Sequence, residues 1–522
     1  MLVGYVSDEY YLAISDVAVL IQSESLPQPV QIHSAANGGL YAEIEPGEYG
    51  VTLSKTGFGS KSVLVNLDEQ QPIQFRLLSD KPLGYVWPKR SKPGEQAEWR
   101  VHTTEAYKLG LWRYGHQKEF IKNLGWYDEH APLPSVQVLP DGDFTQTGAQ
   151  WNKTGYTMVW HKQLVTAPEK SGLYYLHMKT ESGKFYSFPW IISPSEPQSE
   201  IAVLTSDITW NAYNNFGGRS NYVNQDGLPE APIVNSRQEL HRYNSPDTWP
   251  YTETAAPLSF DRPDPKSFVP ENMEIADQIE GRSASAHAPG EWRLLGWMER
   301  EGFEYDLYSE IDLHFDQFPL ERYKVLVLNN HPEYWSPAMF ARVKKWVYEE
   351  GGRLVNLSGC GFYAEVEFPD EDTMLCRREG YWELRTDPTA ELLGVEYTHG
   401  GFNSGAPYEV LDASHWSFSE TGLNNGDSFG EKCQMERCSG GASALELDKI
   451  TENSPSNLIH LARGLNGADE NNGEGAGGDM VFFETTGGGQ VFSSGSLGWP
   501  LSLLVDNNVS NITKNVLSRF LS

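Results

Sequence analysis

The sequence predicts a multidomain chain with two N-terminal β-sandwich modules, residues 1–80 and 81–195, followed by an α/β doubly wound domain over 196–522. Three observations predict it. The 522 residues exceed what one core holds at roughly 150 residues per domain. Turn residues separating short alternating runs dominate the first 195 positions. After the polar linker Ser193-Pro194-Ser195-Glu196-Pro197 the period changes to continuous apolar runs with helical stretches between them.

In residues 1–80 the run Gly39-Leu40-Tyr41-Ala42 and the run Tyr49-Gly50-Val51-Thr52-Leu53 flank Pro46-Gly47, the pattern of a small sandwich. Gly172–Met178 and Phe185–Ile192 continue the style in the second, immunoglobulin-like module. Beyond the linker, Ile201–Thr205, Tyr323–Leu328 and Arg353–Leu357 are apolar runs that suit strands buried on both faces. Ser336 and Pro337 open a helix with Phe340, Val343, Trp346 and Val347 on one face, closed by Gly351-Gly352. A second helix, Glu291 to Glu301, groups Leu294, Leu295 and Met298 before Gly302. Strands alternating with helices predict a mostly parallel sheet, with ligands beyond the carboxyl ends of the strands.

Composition narrows the function. Forty basic against 71 acidic side chains give a formal net charge of −31, with no basic cluster. A phosphate backbone or an anionic membrane surface would be repelled, so neither nucleic acid nor membrane is an expected partner. No window reaches the about 18 apolar residues that a membrane span needs, and Met1–Asp8 does not read as a signal peptide. Four cysteines, Cys360, Cys376, Cys433 and Cys438, are too few to staple the chain, so a reducing cytoplasm is expected and Cys433 and Cys438 are read as unconnected thiols.

The strand 323–328 runs into Asn329-Asn330-His331-Pro332-Glu333, delivering an imidazole and a carboxylate two residues apart, with Pro332 holding His331 extended. The first strand leads into Thr209–Tyr222, where Gly217-Gly218 permits a reversal that folds Tyr213 and Tyr222 back over the sheet edge. As residues alone, these also fit a loop that caps the neighbouring helix and an ordinary half-buried tyrosine.

Thr209–Gly218, Ser259-Phe260-Asp261-Arg262-Pro263, His331–Ser336, Gly351–Leu354 and Asp479–Glu484, in this order, resemble the N,N-dimethylformamidase large (beta) subunit family over about residues 196–522. The resemblance implies a mononuclear Fe(3+) amidohydrolase whose metal is held by two tyrosinates and a glutamate. It implies Tyr213 and Glu333 as ligands, with Tyr251 as second tyrosine by spacing and Tyr243 or Tyr222 as alternatives. It also implies His331 as a catalytic or supporting histidine and Glu446, in Gly441–Lys449, as a catalytic carboxylate. Hard oxygen donors suit a trivalent cation, which would polarise an amide carbonyl or acidify a bound water. The implied substrate is a small amide or N-substituted formamide; the chain is expected to self-associate and to take a small partner subunit.

Two other readings stay open. Leu357-Ser358-Gly359-Cys360-Gly361 follows a buried strand like a nucleophile elbow of the glutamine-amidotransferase-like/flavodoxin-like α/β domain, so a cysteine hydrolase of glutamine-amidotransferase-like fold, using Cys360, is the alternative. A non-catalytic carbohydrate-binding or scaffold protein is the other, disfavoured because Tyr213, His331, Glu333 and Glu446 are all present. Gly467–Asp479 resembles a calcium loop only loosely, since Met480 stands where the terminal glutamate would.

Overall fold

The computed structural model describes residues 1–128, 163–225, 227–234, 255–273, 287–379, 388–435, 439–469 and 475–522, with the short strand pairs 144–145, 148–149 and 382–383. Among the described residues strands hold far more of the chain than helices, which are few.

Alternation of inward apolar and outward polar residues builds the first two modules. In Gly47–Lys55, Tyr49, Val51 and Leu53 are buried while their neighbours are not. That strand lies in a four-stranded sheet ordered Val30–His33, Ala18–Gln22, Gly47–Lys55, Gly59–Leu67; Leu2–Ser7 pairs with Gly39–Tyr41 and Ile73–Arg76 in a second sheet. Val3, Val19, Val51 and Phe75 share one core between them. The next module repeats the arrangement. A three-stranded sheet, Leu164–Thr166, Gln96–His102, Leu83–Trp87, and a five-stranded sheet led by Lys118–Tyr127 and Tyr107–Tyr114 enclose Trp99, Leu109, Leu176 and Trp190. Both are β-sandwiches.

Nine of the remaining strands form one sheet, and Leu258–Ser259, Thr373–Cys376, Ala364–Asp370 and Tyr334–Trp335 form a separate four-stranded one. The first five of the nine run in the spatial order Asp306–Tyr308, Ile201–Leu204, Val325–Leu328, Arg353–Asn356, Gln490–Ser493, and all four pairings between them are parallel. Side chains of one strand part to two cores, as the period of two requires. Val325 and Val327 pack with Leu294, Leu295 and Met298 of the helix Ala288–Glu301 and with Ile512 and Val516 of Asn507–Leu521. Leu326 and Leu328 pack with Ile208 of the helix Asp207–Tyr213 and with Met339 and Val343 of Pro337–Glu349.

The sequence reads as a mostly parallel sheet, and here the structure differs. Asp479–Glu484, Ile459–Gly464, Tyr408–Val410 and Ser428–Phe429 continue the sheet antiparallel, so it is mixed. Two of these strands are only three and two residues long, and the pairing of a third is broken by a bulge between His460 and Ala462; each lacks the apolar run that announces a strand. The helix expected from Glu291 begins earlier, at Ala288, because Pro289 fits the first turn, where its missing N–H costs nothing. Gly302 closes it at φ 81°. Among the described residues no helix is long and apolar enough to cross a membrane.

The helix Pro337–Glu349 follows the motif that carries His331 and Glu333, and its start is fixed by Ser336. The Ser336 hydroxyl oxygen accepts the Met339 backbone N–H at 3.3 Å and also meets His314 Nδ1 at 2.7 Å. Ser336→Ala is expected to cost about 1–2 kcal/mol, read as a lower urea midpoint at unchanged slope; an unchanged midpoint would show that the cap is not holding this end.

Candidate active site

The parallel strands deliver four buried segments to one edge of the sheet. Ile201–Leu204 continues into Thr205-Ser206 and the helix Asp207–Tyr213; Val325–Leu328 continues into 329–333; Arg353–Asn356 leads to 357–360; Gln490–Ser493 leads to 494–497. Side-chain hydroxyls bind these exits together. The Ser206 hydroxyl donates to Asn329 O at 2.6 Å and accepts the His331 N–H at 2.9 Å. Thr209 Oγ1 accepts the Glu333 N–H at 3.2 Å, and the Ser358 hydroxyl donates to Asn330 O at 2.7 Å. Ser496 Oγ accepts the Ala444 N–H at 2.7 Å, which brings the segment carrying Glu446 to the same edge.

Glu333 is the centre of the cluster. The Tyr213 hydroxyl donates to Glu333 Oε2, and the Tyr222 hydroxyl donates to Glu333 Oε1 at 3.2 Å and to the Tyr213 hydroxyl at 2.9 Å. The two phenol rings stack at 4.6 Å between centroids. His331 Nε2 lies 3.5 Å from Glu333 Oε2 and 3.0 Å from Glu446 Oε2. The Sγ of Cys360, a ring nitrogen of His331 and a carboxylate oxygen of Glu333 lie within 4.8 Å of one another, and all three residues are buried.

The backbone bends sharply next to these groups. Gly217 and Gly218 adopt φ of 88° and 92°, which turns Tyr222 back onto Tyr213. Asn330, Cys360 and Leu445 hold φ of 55°, 54° and 76°, a region that costs residues with a Cβ energy and gathers at functional sites. Gly359 has no substitute: a Cβ there would stand 2.1 Å from Glu446 O.

Arg262 anchors the tyrosine loop. It is fully buried, and its guanidinium donates to Asn211 Oδ1 and O, to Phe216 O at 2.9 Å and to Arg219 O at 3.0 Å. These carbonyls have no water to turn to, so one planar fork of donors holds the whole bend. Burial lowers its pKa to about 9, with Arg219 adding to the effect.

Of the residues the sequence singles out, Tyr213, His331, Glu333 and Glu446 meet in one cluster. Tyr251 and Tyr243 lie outside the described residues; Tyr222, the remaining alternative for the second tyrosine, has its hydroxyl on Glu333. Three oxygen donors, two phenols and a carboxylate, therefore converge from two separate loops, a set that fits a hard trivalent cation. Cys438 and residues 470–474 of the acidic loop also lie outside the described residues. Sequence reasoning missed Asp448, Tyr397 and Glu291. Asp448 Oδ1 accepts the Cys360 N–H at 2.6 Å, and burial, with Glu446 adding, pushes its carboxyl up to about 7. Its place two residues after Glu446 was a usable signal. Burial, then Glu446, Cys360, Tyr363 and Glu333, raises the Tyr397 phenol above its ordinary range, which sets it beside the cluster; no motif marks it. Glu291 accepts the Ser206 N–H at 2.8 Å and the Trp210 indole N–H at 3.2 Å, so a buried acid supports the first strand exit from beneath.

A family model described as N,N-dimethylformamidase beta subunit-like, C-terminal, matches residues 103–511. The match reaches upstream of residue 196 into the second sandwich. The N,N-dimethylformamidase beta subunit of Alcaligenes sp is 26% identical over 437 residues, covering 69% of this chain and 54% of that protein. That of Paracoccus aminophilus is 25% identical over 436 residues, with 69% and 54% covered. The chain thus spans about half the length of these curated relatives. Among solved structures, the N-terminal four Ig domains of Dscam1 isoform 4.44 cover 37% of this chain and 43% of that one at 6% identity; the TM-score of 0.14 carries no argument.

Burial pushes the Glu291 carboxyl from 4.5 up to about 8. An acid whose pKa is raised by folding keeps its proton in the native state while the unfolded chain has lost it, so its stabilisation is complete below about pH 4.5 and is lost as pH rises through about 8. Glu291→Gln retains an oxygen for Ser206 and Trp210 and has no proton to lose. The variant is expected to gain on the parent as pH rises from about 5 to about 9, measured by urea unfolding; a difference that does not change with pH would rule out a raised Glu291.

Proposed function

The chain belongs to the N,N-dimethylformamidase beta subunit-like family, and from that membership and the side chains gathered on Glu333 we propose that it is an iron-dependent amidohydrolase acting on a small carboxamide or N-substituted formamide. One observation carries the reading: both oxygens of the buried Glu333 carboxylate receive tyrosine hydroxyls, while His331 lies between Glu333 and a second carboxylate, Glu446. Tyr213, Tyr222 and Glu333 would hold a mononuclear Fe(3+). When bound, the ion supplies Lewis acidity toward the amide carbonyl and toward a coordinated water.

The chain's own residues supply the proton transfers. Glu446, its side chain 12% exposed against 2% for His331, is the one of that pair that substrate reaches. Its carboxylate takes a proton from the attacking water and returns it to the amide nitrogen as the C–N bond breaks, leaving a carboxylic acid and an amine. His331, 3.0 Å from Glu446, fixes that carboxylate and offers an N–H to the oxygen on which negative charge develops. Burial of the cluster excludes bulk water and strengthens each of these interactions.

The fold reading goes with the function. Counted along the chain, the five parallel strands stand in the order 2-1-3-4-5, which supports a doubly wound, flavodoxin-like domain with its ligand site at the strand ends. We read the chain as three units, 1–80, 81–195 and 196–522, in a cytoplasmic, self-associating protein. The relatives' names mark them as beta subunits, which supports a further small subunit.

A second reading has its own observation. Cys360 follows a buried parallel strand at φ 54° with His331 and Glu333 close by, the elements of a thiol hydrolase. Such an enzyme would lose all activity in Cys360→Ala, whereas metal-assisted hydrolysis would persist.

Protein purified without added metal is expected to carry about one iron per chain and a visible tyrosinate charge-transfer band. Tyr213→Phe and Glu333→Gln should each remove band and iron; a colourless, iron-free and amide-active protein would end the iron reading. Glu446→Gln should keep the iron and lower kcat by about 100-fold or more. Equal kcat in that variant would remove Glu446 from the mechanism.

A further inference from the structure

The iron reading leaves one nucleophilic group at the site without a task. Cys360 is 2% exposed and makes no disulfide. Its sulfur stands within 4.8 Å of donor atoms of both His331 and Glu333, and His331 Nε2 lies 3.5 Å from Glu333 Oε2. Thiolate, imidazole and carboxylate are three different ligand types, and together they do not resemble the all-oxygen set of Tyr213, Tyr222 and Glu333. Soft sulfur and borderline nitrogen favour zinc-class divalent cations over a hard trivalent one.

We propose that Cys360, His331 and Glu333 form a second donor set, sharing Glu333 with the tyrosines, that takes a borderline divalent cation such as Zn2+. Zinc sites built from three protein ligands leave a fourth position for water. His331 Nε2 and Glu333 Oε2, 3.5 Å apart, already stand at the spacing of two donors bound at about 2.0–2.3 Å to one ion, and a small rotation of the Cys360 side chain closes the set. Binding replaces the thiol proton, which leaves to solvent. The backbone is already set for it: Gly359 passes against Glu446 O, where a Cβ would stand 2.1 Å away, and the Cys360 N–H is held by Asp448. An ion in this set engages the imidazole that otherwise meets Glu446 and the carboxylate that otherwise meets the two phenols. Resting on the reading of Glu446 and His331 as the proton-handling pair, the consequence is that zinc-class ions switch hydrolysis off.

Cobalt(II) added to chelator-treated protein is the direct probe. One equivalent is expected to produce a near-ultraviolet sulfur-to-cobalt band that Zn2+ abolishes by displacement. The band should persist in Tyr213→Phe and vanish in Cys360→Ser, with Cys360→Ala as a second variant and thermal unfolding of the metal-free proteins showing that each is folded. In the unmodified chain, Zn2+ should slow iodoacetamide labelling of Cys360 at least tenfold by peptide mapping. A cobalt band that survives in Cys360→Ser, or labelling of Cys360 at an unchanged rate in Zn2+, overturns the proposal. Failure of the iron reading is distinguishable, because it appears as a missing tyrosinate band in untreated protein and leaves the cobalt result untouched.

Discussion

Five parallel strands ending at one level impose a single constraint: the chain that leaves them is buried, and each of its N–H and C=O groups needs a partner inside the protein. Ser206, Thr209, Ser358 and Ser496 meet it with hydroxyls that cross from one exit to the next. A hydroxyl both donates and accepts, so one small side chain satisfies two loops and fixes their separation. The positions of His331 and Glu333 follow from this, since the backbone N–H of each is tied to the first helix or the turn before it. The site is precise because its backbone has no alternative partners.

Burial also concentrates acid where charge is costly. Glu291, Asp207, Glu310 and Asp448 are each pushed upward by burial, and all four surround the strand exits rather than the sandwiches. A net charge of −31 resides mostly on the surface, where it is screened and cheap; these four sit where it is neither.

Much of this was legible in the sequence. The apolar runs at 201, 325 and 353 announced buried parallel strands because every residue of such a strand is covered, and Ser336-Pro337 announced its helix because capping is local chemistry. His331-Pro332-Glu333 was legible for the same reason: a strand end, a proline and two ionisable groups in five residues. The antiparallel half of the sheet was not, since Tyr408–Val410 and Ser428–Phe429 owe their strand character to neighbours and not to their own pattern. Nor was the approach of Cys360 to His331. Twenty-nine positions separate them in the chain, and only the register of Val325–Leu328 against Arg353–Asn356 brings the turns together. Nor was the approach of Tyr222 to Tyr213, which depends on Gly217-Gly218 reversing the chain at positive φ.

The sandwiches reach the cluster through the loop that carries Tyr222. Tyr85 and Arg100 of the second module both donate to Asp261, the hydroxyl at 2.6 Å, and the next residue is Arg262, which holds the tyrosine loop. From the first module, Glu9 O accepts the Gly217 N–H at 2.7 Å, and the Tyr11 side chain packs where a Cβ on Gly218 would stand, 2.4 Å from its own Cβ. Arg90 and Ser193 close at 3.0 and 2.9 Å on Asp312, within the short helix Glu310–His314 that packs beside Asp207–Tyr213. The bend that pairs the two phenols is thus gripped from three directions, by Arg262 within its own region and by each module in turn. A loop held only by its own glycines would sample many conformations, because glycine restricts backbone angles least. Here the N-terminal modules remove that freedom, and the stacking of Tyr222 on Tyr213 depends on residues some two hundred positions upstream.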